Sequence, residues 1–88
     1  IRQLAILSNK VLIEVNFEKT PQVSSLFASN DPHQILINLS AFLNKKIEPS
    51  ECLLFLDEIQ ASPEILAKLR WFYEEYPTLP VVSAGSLL

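Results

Sequence analysis

Two adjacent carboxylates, Asp57 and Glu58, close the apolar run Cys52-Leu53-Leu54-Phe55-Leu56 and are followed by Ile59 and Gln60. An acid pair in that setting suits hydrolysis of a nucleoside triphosphate. A magnesium ion bridging the β- and γ-phosphates keeps most of its water shell, so a single carboxylate holds it, often through water. A second carboxylate, one residue on and aimed elsewhere, can orient and deprotonate the attacking water. Neighbouring side chains of a strand point to opposite faces, so one strand end serves both roles. The plainer alternative is that Asp57-Glu58 ends a strand and caps the loop before the next helix.

Other residues with chemical potential surround this pair in the sequence. Gln60 either helps place the attacking water or is a polar loop residue near a helix start. Arg70 reads as a solvated or ion-paired helix residue, with a finger reaching a neighbouring subunit's nucleotide as the alternative. His33 stands at the second position of a capped helix, far from a second ligand such as a cysteine, and reads as a surface histidine. Trp71, Phe72, Tyr73 and Tyr76 recur at helical spacing without interleaved basic residues, which favours core packing over a surface for stacking bases. Cys52, the single cysteine, has no partner for an internal disulfide and no electropositive neighbours; at the head of an apolar strand it reads as a small buried hydrophobe.

The acid pair needs a scaffold, and its own strand indicates which. A strand that is apolar throughout has neighbours on both sides and helices over both faces, as in parallel α/β sheets. Ligands of such sheets bind beyond the carboxyl ends of the strands, where Asp57 and Glu58 emerge. Upstream, Ile1 to Ser8 places Ile1, Leu4 and Ala5, with Ser8 at its margin, on one helical face, and Asn9 serves as a left-handed terminator. Ile1 stands in place of Met within helical sequence, so the opening reads as the tail of a helix begun upstream. Val11 to Glu18 alternates, with Ile13, Val15 and Phe17 facing one way and Glu14, Asn16 and Glu18 the other, the pattern of an edge strand.

Three helix starts share a capping residue followed by proline: Thr20-Pro21, Asp31-Pro32 and Ser62-Pro63. The middle one adds Gln34 in the manner of a capping box and opens a helix to about Lys45, with Ile35, Leu36, Leu39, Phe42 and Leu43 as its apolar stripe. From Pro63 to Pro77 a further helix carries Ile65, Leu69, Phe72, Tyr73 and Tyr76, with Glu64 and Lys68 as an exposed pair one turn apart. Val81-Val82-Ser83 then forms a strand that turns small and polar through Ala84, Gly85 and Ser86. The order of elements implies a βαβ series with a parallel sheet and right-handed crossovers.

Bulk properties agree with a single small domain. The 88 residues are 49% hydrophobic and 19% charged with a net charge of −3, so the chain is globular. A domain of this size buries only about 60 to 65% of its unfolded surface, which leaves a marginal core. The seven basic residues are scattered apart from Lys45-Lys46, which gives no footprint for nucleic acid. No apolar run approaches the roughly 18 to 20 residues of a membrane span and no signal peptide is evident, so the expected location is the cytoplasm.

Leu53-Leu54-Phe55-Leu56-Asp57-Glu58-Ile59-Gln60, Pro63-Glu64, Leu69-Arg70, Trp71-Phe72-Tyr73 and Ala84-Gly85-Ser86 together resemble a family of prokaryotic AAA-type P-loop ATPases. The resemblance covers nearly the whole chain, from Arg2 to Leu88. It implies an α/β fold, a partial three-layer α/β/α P-loop NTPase core with a short parallel sheet of three strands flanked by helices. Residues 1–88 would then run from just after the phosphate-binding loop through the sensor-1 strand. The family's Walker B motif falls on the acid pair, implying that Asp57 takes the Mg2+ role, through water, and Glu58 the water-activating role. Ser86, and less well Ser83, resembles the sensor-1 residue that touches the γ-phosphate or attacking water. ATP and Mg2+ are the implied ligands.

One departure is large. The family's phosphate loop, GxxxxGK followed by Ser or Thr, has no match here, and Gly85 is the one glycine in the chain. Such a loop wraps backbone N–H groups around the phosphates, so tight ATP binding by these residues alone is not expected. Two alternatives stay open: a non-catalytic remnant or protein-interaction module prone to self-association through an unpaired strand, and a helicase-like ATPase, for which Asp57-Glu58 and Ser83-Ala84 loosely match the motifs.

Overall fold

The computed structural model describes residues 1–85. Helices and strands alternate as α1 (Arg2–Leu7), β1 (Val11–Asn16), α2 (Pro32–Leu43), β2 (Cys52–Asp57), α3 (Leu66–Glu75) and β3 (Val81–Ser83), with short 3₁₀ turns between them. The three strands form one parallel sheet in the order β1-β2-β3. Val11 lies beside Cys52, Asn16 beside Asp57, and Leu54 beside Val81. The alternating strand is therefore an edge, and the uniformly apolar one is central, as their sequences predict.

Alternation along each strand divides the sheet into two faces. Ile13 and Val15 of β1 share a face with Leu54 and Leu56 of β2, and pack with Ile35, Leu36 and Leu39 of α2 and Phe72 of α3. Burying each such side chain is worth about 1.5–3 kcal/mol, so this layer supplies most of the fold's cohesion. Phe17 and Phe27, both fully buried, close its edge with ring centroids 5.5 Å apart in a tilted pair. On the opposite face Leu53 is buried, and α1 lies against β1 with Ala5 as its buried contact. Helices thus occupy both faces, which is the partial α/β/α layering of a P-loop nucleoside triphosphatase core.

Chain punctuation follows local chemistry, with instructive exceptions. Asn9 and Asn44 adopt left-handed backbone at φ 56° and 53°, ending α1 and α2. Asp31 caps α2 by accepting the His33 backbone N–H at 3.0 Å. The expected capping box does not form. The Asp31 N–H donates to Ser29 Oγ, so it does not call on Gln34, whose amide donates to Asn38 Oδ1 instead. Thr20 and Ser62 make no side-chain cap bond, and each leads into a 3₁₀ turn; α3 begins only at Leu66.

Lys68 does not pair with Glu64 as helical spacing suggests. Its ammonium donates to Ser29 O at 3.2 Å and Asn30 Oδ1 at 2.6 Å, and lies 5.5 Å from the Trp71 ring centroid. Three acceptors of the 28–30 loop, Ala28 O among them, and the face of Trp71 on its own helix outweigh one solvated carboxylate. Of the aromatic cluster, Phe72 alone is fully buried, and Tyr73 is 62% exposed. Core packing holds for Phe72 and, partly buried, for Tyr76.

Candidate functional site

At its carboxyl end β2 stops at Asp57, and Glu58 turns off the strand in left-handed conformation, φ 55° and ψ 45°. Glutamate rarely takes this backbone, because its Cβ crowds the following carbonyl. The turn is held from three sides. Asp57 Oδ1 accepts the Glu58 N–H at 2.9 Å, and the Phe17 N–H donates to Asp57 O at 3.1 Å. The Ile59 N–H donates to Ala84 O at 2.9 Å, and the Ala84 N–H to Leu56 O at 3.0 Å. Glu58 therefore leaves the strand in a turn, so strand alternation does not set the two acids on opposite faces as the sequence suggests.

Both carboxylates are half-buried and line a cleft of about 290 Å³ with Asn16, Glu18 and Lys19. Asn16 Oδ1 accepts the backbone N–H groups of Glu18 at 3.0 Å and Lys19 at 2.9 Å, folding the end of β1 over the acids. Glu18 shares a hydrogen bond with Glu58, which, together with the repulsion of that carboxylate, raises the proton affinity of Glu18 above the ordinary glutamate range. Gln60 Nε2 donates to Glu58 Oε2 at 3.0 Å.

Asn16 and Glu18 were legible in the sequence only as part of a wet strand face, and nothing in it singled out Lys19. Parallel pairing is the missing signal, since it brings the residues after one strand beside those after its neighbour.

The remaining sequence candidates separate from this cleft. Ser83 is exposed at the end of β3 and, through its register with Leu56, shares the α2–α3 face while Asp57 lies on the other. Ser86 lies outside the described residues. Arg70 is solvated, with an ion pair to Glu74 at 3.4 Å. His33 is exposed and bonded through Nδ1 to the Tyr76 hydroxyl at 3.0 Å. These two line a larger groove of about 770 Å³ with Lys46, Pro49, Ser50 and Thr78. That groove sits where the chain enters β2 and β3, the opposite end from the one where ligands of parallel sheets bind. Cys52 is buried and free, as expected.

Among the described residues no cluster of three or more His, Cys, Asp or Glu side chains forms a metal cage. Magnesium does not require one. It takes one or two carboxylates and completes its octahedron with water and phosphate oxygens. Asp57, an oxygen donor fixed at the cleft by the Glu58 N–H, fits that demand.

A parallel sheet between helices, with an acid pair past its central strand, defines the class: an α/β core of the P-loop nucleoside triphosphatase type. The chain belongs to the family described as AAA domain, whose profile matches residues 1–88. Neither a curated protein nor a solved structure matches it at a significant level. No helix among the described residues is long and apolar enough to cross a membrane.

Proposed function

We propose that this chain carries the metal and water half of an ATP-hydrolysing site. The observation that supports it best is the turn at Glu58, which brings two adjacent carboxylates to one cleft at the ligand-binding end of the sheet. Asp57 holds Mg2+ through water, and Glu58 orients the attacking water and accepts its proton. Bound Mg2+ supplies neutralisation of the charge that develops on the β- and γ-phosphates. Asn16 positions the Glu18-Lys19 turn that walls the cleft, and Lys19 adds a positive charge at its rim. Ser86 takes the sensor contact to the γ-phosphate on the strength of the family resemblance.

The test is ATP turnover by the native gene product. Glu58→Gln is expected to lower kcat by about 10²–10⁴-fold with little change in KM. Unchanged turnover would remove Glu58 from the role of base. Asp57→Asn should instead raise the Mg2+ concentration needed for half-maximal rate.

A second reading has its own support. On α1 Leu4, Ile6 and Leu7 are 48%, 76% and 85% exposed, and β3 pairs only with β2 among the described residues, leaving its outer edge open. Open edges and apolar helix faces promote association, so the isolated chain is proposed to self-associate or to take a protein partner there. Light scattering that finds a monodisperse monomer across the micromolar range would count against it.

A further inference from the structure

We infer that Gln60 is the positioning residue for Glu58, and that position 85 is glycine because a side chain there would displace the Gln60 amide. The inference rests on the water-activating role proposed for Glu58. A general base must be held within about 0.5 Å of its productive place, and a half-buried glutamate on a turn has several rotamers to lose. Gln60 Nε2 donates to Glu58 Oε2 at 3.0 Å and so selects among them.

The other end of that amide explains the glycine. A Cβ on residue 85 would lie 2.5 Å from Gln60 Oε1 and 3.4 Å from Ile59 Cγ2. The first separation is shorter than real Cβ contacts tolerate, so any side chain at 85 moves the amide. Backbone conformation does not account for the residue, since Gly85 has no positive φ. Space does. The framework beneath is pinned by Ile59 N–H to Ala84 O and Ala84 N–H to Leu56 O, so the flexible Gln60 side chain is what must yield. Gln60 thereby joins the acid turn to the end of β3.

Two measurements test this separately from the hydrolytic role. In the nitrogen-15-labelled chain, the Gln60 side-chain amide resonances are compared among wild type, Glu58→Ala and Gly85→Ala. Both variants are expected to shift them toward the solvated position. Resonances unmoved in Gly85→Ala would overturn the inference whatever the activity. In ATP turnover by the native gene product, Gln60→Ala and Gly85→Ala should each lower kcat by roughly 10- to 100-fold while leaving KM nearly unchanged.

Because Gln60 is exposed, Gln60→Ala should fold normally. Adding Gly85→Ala to Gln60→Ala should bring no further loss, since its target is already gone. A second full loss in that background would show that Gly85 acts through the strand, and would overturn the inference. Were Glu58→Gln to leave turnover unchanged, the proposed base would fall, and the resonance comparison would still decide the contact.

Discussion

Glu58 holds a left-handed backbone that glutamate disfavours, so replacing it should reveal stored strain. The informative comparison is Glu58→Gly against Glu58→Ala, because both remove the carboxylate and the Gln60 bond and differ only in Cβ. A left-handed L-residue costs about 1–2 kcal/mol, which glycine avoids. Glycine gives back about 0.4–1 kcal/mol through the greater entropy of its unfolded chain. Glu58→Gly should therefore be more stable than Glu58→Ala by about 0.5–1 kcal/mol, or several degrees in Tm for a domain of this size.

Elsewhere in a strand the sign reverses, and the same exchange costs about 0.5–1 kcal/mol. Thermal unfolding followed by circular dichroism, with urea titration to confirm an unchanged m-value, measures the difference. A Glu58→Ala variant as stable as Glu58→Gly, or more so, would refute the strain. Against a total stability of about 4–13 kcal/mol for 88 residues, the effect is well within measurement. Strain retained at a proposed catalytic carboxylate is the expected mark of function placed ahead of stability.

Lys68→Met should destabilise the fold by about 1–2 kcal/mol in urea titration through loss of the 28–30 loop contacts, while Glu64→Gln should be silent. Asp31→Ala should lower stability by about 1 kcal/mol, against less than half of that for Thr20→Ala, which removes no cap bond. Phe27→Ala, emptying a fully buried site, should cost about 3–5 kcal/mol and bring the chain close to unfolding at ambient temperature. Glu18 gives a pH signature. Its folded proton affinity is raised, so the native state binds more protons than the unfolded one, and stability falls as pH rises from the ordinary glutamate range through the raised value. The stability of wild type relative to Glu18→Gln should therefore decline across that window in pH-dependent urea titrations, and a rising difference would contradict the Glu18–Glu58 bond.

Strands and helices were largely legible because each carries its own period. Val11 to Asn16 alternates and is an edge; Cys52 to Leu56 is unbroken and is central; Asp31-Pro32 opens a capped helix. The errors fell where two elements compete for one group. Gln34 and Lys68 have good helical partners on paper, yet Ser29 and Asn30, from the loop between them in space, intervene. The acid pair was legible by type and place, and its geometry was not, since nothing in Leu-Asp-Glu-Ile announces a left-handed glutamate. Asn16 and Glu18 were hidden for a different reason: their proximity to Asp57 and Glu58 exists only once β1 and β2 are paired.

The brevity of β3 has a kinetic consequence for the acid turn. Opening free energies are lowest for segments with few buried contacts and one-sided backbone pairing, and β3 is three residues long with a single neighbour among the described residues. Since the Ile59 amide is tied to Ala84 beyond that strand, the turn bearing Glu58 loses one of its supports whenever β3 opens. In native-state hydrogen exchange the Ile59 amide should report the fraying of β3 together with the Leu54 amide, which donates to Pro80 O, and ahead of the Phe55 amide, which alternation along β2 turns toward β1. The order of the site would then be set at the edge of the sheet, by whatever covers β3.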